Sequence, residues 1–176
     1  IVTTADNNLI KVLKKKYKNK IMYHKRSQKL SEQNLDYKQS VIKAINKFNK
    51  NKIDVVAILT IENPQRKFFY IKQALSNLII HGSDLVIGTL PDIENNYYKY
   101  SKKGIELVSN KNNNSLKLEK NIILKDVGAF SIYNYDSYLN NRINKTTNIV
   151  LDEQHSINIL NKSDILIMNK PIKKFK

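Results

Sequence analysis

The stretch Val55–Ala74, VVAILTIENPQRKFFYIKQA, constrains this chain more than any other. It opens on an unbroken apolar run, Val55, Val56, Ala57, Ile58 and Leu59. Such a run suits a strand buried on both faces, as in a parallel sheet. Glu62-Asn63-Pro64-Gln65-Arg66 then makes a polar turn whose proline ends the pairing. A helical pattern follows, with Phe68, Ile71, Leu75 and Leu78 on one face and Ala74 and Ile79 beside them. Strand, polar turn and helix in that order place ligand sites at the carboxyl ends of strands in open α/β sheets. Glu62–Arg66 is therefore expected in the wall of any active site.

The flanking segments extend that pattern. Ile1–Thr4 reads as a short strand, and Asp6 caps a helix with Lys14, Lys15 and Lys16 in its last turn. Lys20–Tyr23 is expected as a second strand, followed by a polar stretch over His24–Gln33. Asn34 or Asp36 opens a helix burying Leu35, Val41, Ile42, Ile45 and Phe48. Asp84–Thr89 reads as a strand entered through Gly82 and ended by Pro91. Ile93–Asn121 reads as short antiparallel strands around a flexible excursion. Ile122–Leu124 and Val127–Tyr133 are expected as two strands separated near Gly128. Tyr135–Asn141 reads as a helix, Ile149–Leu151 as a strand and Ser163–Met168 as a last helix. The alternation implies a three-layer α/β/α sandwich with a mostly parallel sheet, in one domain over residues 1–176.

Composition narrows the chemistry. The chain has no cysteine, which excludes disulfides and thiolate metal sites. Its apolar runs fall short of the roughly 20 residues a membrane span needs, and Ile1–Ala5 lacks signal-peptide character, so a cytoplasmic protein is expected. The formal charge of +16 comes from dispersed lysines, and arginine is confined to Arg26, Arg66 and Arg142. Together with abundant Asn and Ile, this resembles the product of an AT-rich coding sequence more than a nucleic-acid surface, so no specific nucleic-acid partner is expected. A positive field still favours anionic substrates. Four glycines leave little material for a phosphate loop, and His24, His81 and His155 are far apart in sequence. The carboxylates near strand ends are Asp6, Glu62, Asp126, Asp152 and Glu153.

Several segments, in order, resemble the acylneuraminate cytidylyltransferase family. IVTTADNNLI at the start resembles the family's IVSTD strand and turn, and Leu59–Arg66 (LTIENPQR) its LQPTSPLR, with proline and arginine at the same spacing. Gly128–Ile132 (GAFSI) is similar to NGAIYI, and Gln154–Leu160 (QHSINIL) to DSIDID. The resemblance implies a nucleotide-diphospho-sugar transferase-like fold. It also implies attack of an acidic sugar's hydroxyl on the α-phosphate of CTP, Mg²⁺ to neutralise charge, and release of pyrophosphate.

On the resemblance, Glu62 and Asn63 would line the pocket and Lys125 would reach substrate. Arg66 would either hold an anion through its planar fork or brace its own turn. A homodimer arm would fall near Tyr97, Tyr98 and Tyr100. The chain would start at about the family's second strand, without the loop that embraces CTP. The family's two metal-associated aspartates fall on Asn158 and Leu160, and its asparagine before NGA's glycine on Val127. Asparagine supplies one neutral oxygen and leucine none. These departures open a second reading, a relative without catalysis that binds a sugar nucleotide or a partner protein.

Overall fold

A computed structural model of the chain describes residues 1–27, 37–48, 53–92, 98–102, 104–107 and 123–168. They fall in two compact units, Ile1–Lys52 and Ile53–Lys176. In the first, β1 (Val2–Thr4) and β2 (Tyr23–Lys25) pair in parallel through α1 (Asn7–Tyr17), the βαβ connection that parallel strands require. The Asp6 carboxylate caps α1 by accepting from the backbone N–H of Asn8 and Leu9. Lys18, at φ 48°, ends the helix, and a 3-10 turn over Lys18–Lys20 takes up residues expected to begin a strand. The strand therefore starts at Tyr23 and includes His24, which is buried and hydrogen-bonded to the Thr3 hydroxyl at 3.1 Å. The next helix, α2 (Lys38–Phe48), buries Ser40, Ala44 and Ile45. Its expected caps Asn34 and Asp36, and Leu35, lie outside the described residues.

In the second unit β3 (Val55–Leu59), β7 (Ile123–Asn134), β4 (Leu85–Asp92) and β8 (Thr146–Val150) form a sheet in that order. β4 and β8 pair in parallel, and β7 runs against both β3 and β4. Three of the four strands thus share a direction. α3 (Phe68–His81) packs against β4, β7 and β8. Its Tyr70, Ala74 and Leu78 close a core with Val86, Val127, Ala129, Phe130, Ile132 and Leu151. α4 (Tyr135–Asn140) joins β7 to β8, and α5 (Lys162–Met168) is the last described element. A separate hairpin joins β5 (Tyr98–Ser101) to β6 (Gly104–Leu107).

Four expectations change here. β3 is not buried on both faces: Val56 is buried, whereas Ala57 and Leu59 are exposed. α3 turns Tyr70, Ala74 and Leu78 inward and leaves Phe68, Leu75 and Ile79 exposed. Pro91 lies inside β4, opposite Leu124, where the ladder does without its missing N–H. The two strands expected over Ile122–Leu124 and Val127–Tyr133 are one from Ile123 onward, because β7 continues through Lys125 and Asp126 and takes in Gly128 by way of a bulge. Ile122 lies outside the described residues. Between the Ile87–Ser131 and Thr89–Asp126 pairs, Gly88 stands alone on β4 against Val127, Gly128, Ala129 and Phe130 on β7. Gly128 has φ +64° and donates its N–H to the Asp126 carboxylate at 2.8 Å. The bulge lies at the end of the sheet where β3 and β8 finish, with β4 running on to Asp92. Its Val127 and Gly128 carbonyls accept from the chain after β8 and the loop after β3.

Candidate functional site

Three segments meet at that end of the sheet: the loop Thr60–Lys67 after β3, the first half of β7, and the chain following β8. The Thr60 hydroxyl donates to the carbonyl of Gly128 at 2.7 Å. The backbone N–H of Ile159 donates to the carbonyl of Glu62 at 2.7 Å. Asn63 is fully buried, and its Nδ2 donates to the carbonyl of Ile157 at 3.1 Å while lying 3.4 Å from Asn158 Oδ1. Asn158 in turn donates Nδ2 to the carbonyl of Val127 at 2.7 Å. A ladder of amides therefore links loop, bulge and C-terminal segment. Each bond is modest net of water, but breaking one strands a buried partner.

Arg66 braces the same loop. Its Nε donates to the carbonyl of Asn63 at 2.9 Å and its Nη2 to that of Thr60, so the guanidinium bridges both sides of the turn. Neither bond uses Nη1. Burial pushes the guanidinium below its usual pKa, and the Glu62 carboxylate partly offsets this. Glu62 is exposed, as is Lys125, which sits opposite Leu90 in the β4–β7 ladder. The structure thus gathers Glu62, Asn63 and Arg66 in one loop and puts Lys125 at the start of the neighbouring strand. Of the tyrosines expected in a dimer arm, Tyr97 lies outside the described residues, Tyr98 begins β5 and Tyr100 is exposed.

A second cluster was not singled out by sequence reasoning. Asp152 follows β8 by two residues, and its Oδ2 accepts from the Tyr70 hydroxyl at 2.6 Å. His155 Nδ1 lies 3.4 Å from the same oxygen, and the rings of Tyr70 and His155 are 5.7 Å apart. The Tyr70 hydrogen bond holds the Asp152 carboxyl below its ordinary range, and the Asp152 hydrogen bond chiefly raises the Tyr70 phenol above its own. Asp152 and His155 were visible in sequence as a carboxylate near a strand end and an isolated histidine. Nothing local in the sequence pointed to Tyr70 as their partner.

The residues at the family's metal positions do not suit Mg²⁺. The Asn158 amide nitrogen is committed to Val127 and its oxygen faces the Asn63 amide. Leu160 has no ligand atom and is 80% exposed. Among the described residues no three His, Cys, Asp or Glu side chains come together as a metal cluster. Also among the described residues, no helix is long and apolar enough to cross a membrane.

The fold has solved relatives. The chain matches a 4-diphosphocytidyl-2C-methyl-D-erythritol synthase from Anaerococcus prevotii with TM-score 0.62 and 14% identity, over 93% of this chain and 75% of that one. It matches 2-C-methyl-D-erythritol 4-phosphate cytidylyltransferase from Francisella tularensis with TM-score 0.57 and 15% identity, over 86% and 71%. No family profile and no curated protein matches the sequence. The fold is the nucleotidyltransferase-like α/β fold that these two cytidylyltransferases share.

Proposed function

We propose that this protein is a CTP-dependent nucleotidyltransferase that activates an acidic sugar. A sugar hydroxyl oxygen bonds to the α-phosphorus of CTP, the bond to the β-phosphate bridge breaks, and pyrophosphate leaves while the hydroxyl proton passes to a base. The observation that carries the reading is the Glu62–Arg66 loop, braced by Arg66 and Asn63 at the carboxyl ends of the strands in a fold shared with two cytidylyltransferases. The ordered likeness to LQPTSPLR, NGAIYI and DSIDID adds the acidic sugar. Arg66 Nη1 and Lys125 supply positive charge for the anionic reactants, and Glu62 lines the pocket. Asn63, being buried, serves by fixing the loop. The cytoplasm is the compartment this chemistry suits.

A second reading is favoured by Asn158 and Leu160, which leave no anionic ligands where the family holds its metal. It makes the protein a binding module for a sugar nucleotide, without turnover. Calorimetry with CTP, joined to a pyrophosphate-release assay with CTP, Mg²⁺ and N-acetylneuraminate, separates the two. Heat with pyrophosphate release supports the enzyme, and heat without release supports the module. No heat with CTP at high micromolar concentration overturns the nucleotide reading. Because the solved relatives are named for 2-C-methyl-D-erythritol 4-phosphate, that anion is the acceptor to test beside the sugar.

A further inference from the structure

Asp152 is exposed yet held in place. Its side chain is 68% exposed, whereas Tyr70, which donates to it, and His155, which lies against it, are buried at 7% and 5% exposure. Both bear on Oδ2: the Tyr70 hydroxyl donates to it at 2.6 Å and His155 Nδ1 approaches to 3.4 Å. The Asp152 backbone N–H also donates to the Tyr70 oxygen, at 3.4 Å. None of these contacts involves Oδ1.

A solvated carboxylate ordinarily keeps its rotamer freedom, and fixing it costs conformational entropy. A tether between α3 and the segment after β8 would explain the Tyr70 bond, since a buried phenol needs a partner. It would not require the anchored group to be a carboxylate standing in water. Asp152 also follows the carboxyl end of β8, the end of the sheet that carries the Glu62–Arg66 loop, and Tyr70 lies in the first turn of α3, which that loop leads into. A carboxylate with one oxygen saturated from within offers the other as an acceptor of fixed direction. It repels phosphates and sugar carboxylates and suits the O–H donors of a polyol.

We propose that Asp152 is a ligand-binding residue that accepts a hydrogen bond from a hydroxyl of a nucleotide–sugar ligand, with Tyr70 as its positioning residue. This rests on the CTP reading above. The hydroxyl belongs either to the ribose or to the activated sugar, and three probes distinguish these sources: CTP, 2′,3′-dideoxy-CTP and CMP-N-acetylneuraminate. Each is titrated calorimetrically into the wild-type chain, Asp152→Asn and Tyr70→Phe, with thermal melting as a check on folding.

If the ribose is the partner, the wild-type preference for CTP over the dideoxy analogue falls about tenfold in Asp152→Asn, the size of a hydrogen bond to a charged group. If the sugar is the partner, CTP affinity holds and affinity for CMP-N-acetylneuraminate falls by about the same factor. Tyr70→Phe keeps the ring packing and shows the same pattern at smaller size. A pure tether would lower the melting temperature in both variants and leave every affinity ratio unchanged, and that result overturns the proposal alone. Failure of the wild-type chain to bind CTP overturns it together with the parent reading.

Discussion

The side-chain amide of Asn158 donates to the carbonyl of Val127 at 2.7 Å, a bond that an aspartate at this position could not make. The position that resembles a metal ligand in the acylneuraminate cytidylyltransferases is here part of the framework. Asn158→Asp would set a carboxylate against a carbonyl oxygen and remove a donor from a partly buried ladder. The expected loss is about 1–3 kcal/mol, seen as a lower urea midpoint that Mg²⁺ does not restore. A rise in stability with Mg²⁺ in this variant would contradict the framework role.

Arg66 bonds to two backbone carbonyls, those of Thr60 and Asn63. Arg66→Ala leaves both to water and is expected to cost about 1–2 kcal/mol. Hydrogen exchange should quicken over the loop that α3 follows. Arg66→Lys recovers part of this at most, because a single ammonium lacks the fork that spans the turn. Equal stability of Arg66→Lys and the wild type would contradict the bridging geometry.

Gly88 faces the β7 bulge, and a Cβ there would lie 3.1 Å from Leu151 Cδ1 and 3.2 Å from Phe130 Cε1. Both neighbours belong to the core, with little room to withdraw. Gly88→Ala is therefore expected to destabilise by about 1–3 kcal/mol through overpacking. Pairing it with Phe130→Leu should recover some of that loss in a denaturation series.

Asp84 accepts from the Ser137 hydroxyl at 2.5 Å and from the backbone N–H of Asn144 and Lys145, each at 2.9 Å. The Ser137 bond, then those from the backbone, lower its pKa below the ordinary 3.8, and Asp152 is lowered likewise by Tyr70. A depressed carboxylate contributes its full stability above its unfolded pKa and loses it as pH falls through the folded value. The share of stability that these two carboxylates supply should therefore hold down to about pH 4 and then decline. It follows an earlier fall from about pH 6.5, as His24, whose pKa burial lowers, is made to take a proton. Asp84→Asn should flatten that acid limb in urea titrations at stepped pH. An unchanged limb would show that the loop bonds to Asp84 add nothing.

How far the sequence revealed this molecule differs from element to element. The loop after β3 was legible, because an apolar run, a proline turn and a helix in succession leave one arrangement for an α/β chain. The rotation of α3 was not. Phe68, Phe69, Tyr70, Ile71, Leu75, Ile79 and Ile80 surround the helix with apolar groups, so periodicity could not say which face turns inward. The apolar character of β7 was plain, but its direction and its continuity through Gly128 depend on pairing with distant strands. The Tyr70–Asp152 bond joins residues 82 positions apart. Such a contact leaves no local pattern, and the carboxylate alone looked like any surface acid.

The order β3–β7–β4–β8 also sets a schedule for biosynthesis. β3 and β4 are not neighbours; the strand that separates them is made later. Between Leu59 and Asn134 the ribosome adds 75 residues, roughly 4–15 s at 5–20 residues per second. β3 waits through all of that interval and β4 through its last 42 residues, both with open edges, free to join each other or a neighbouring nascent chain. Birth of this fold is thus a problem of delay, and a trigger-type chaperone holding Val55–Asp92 until the separating strand emerges would raise the yield of native protein.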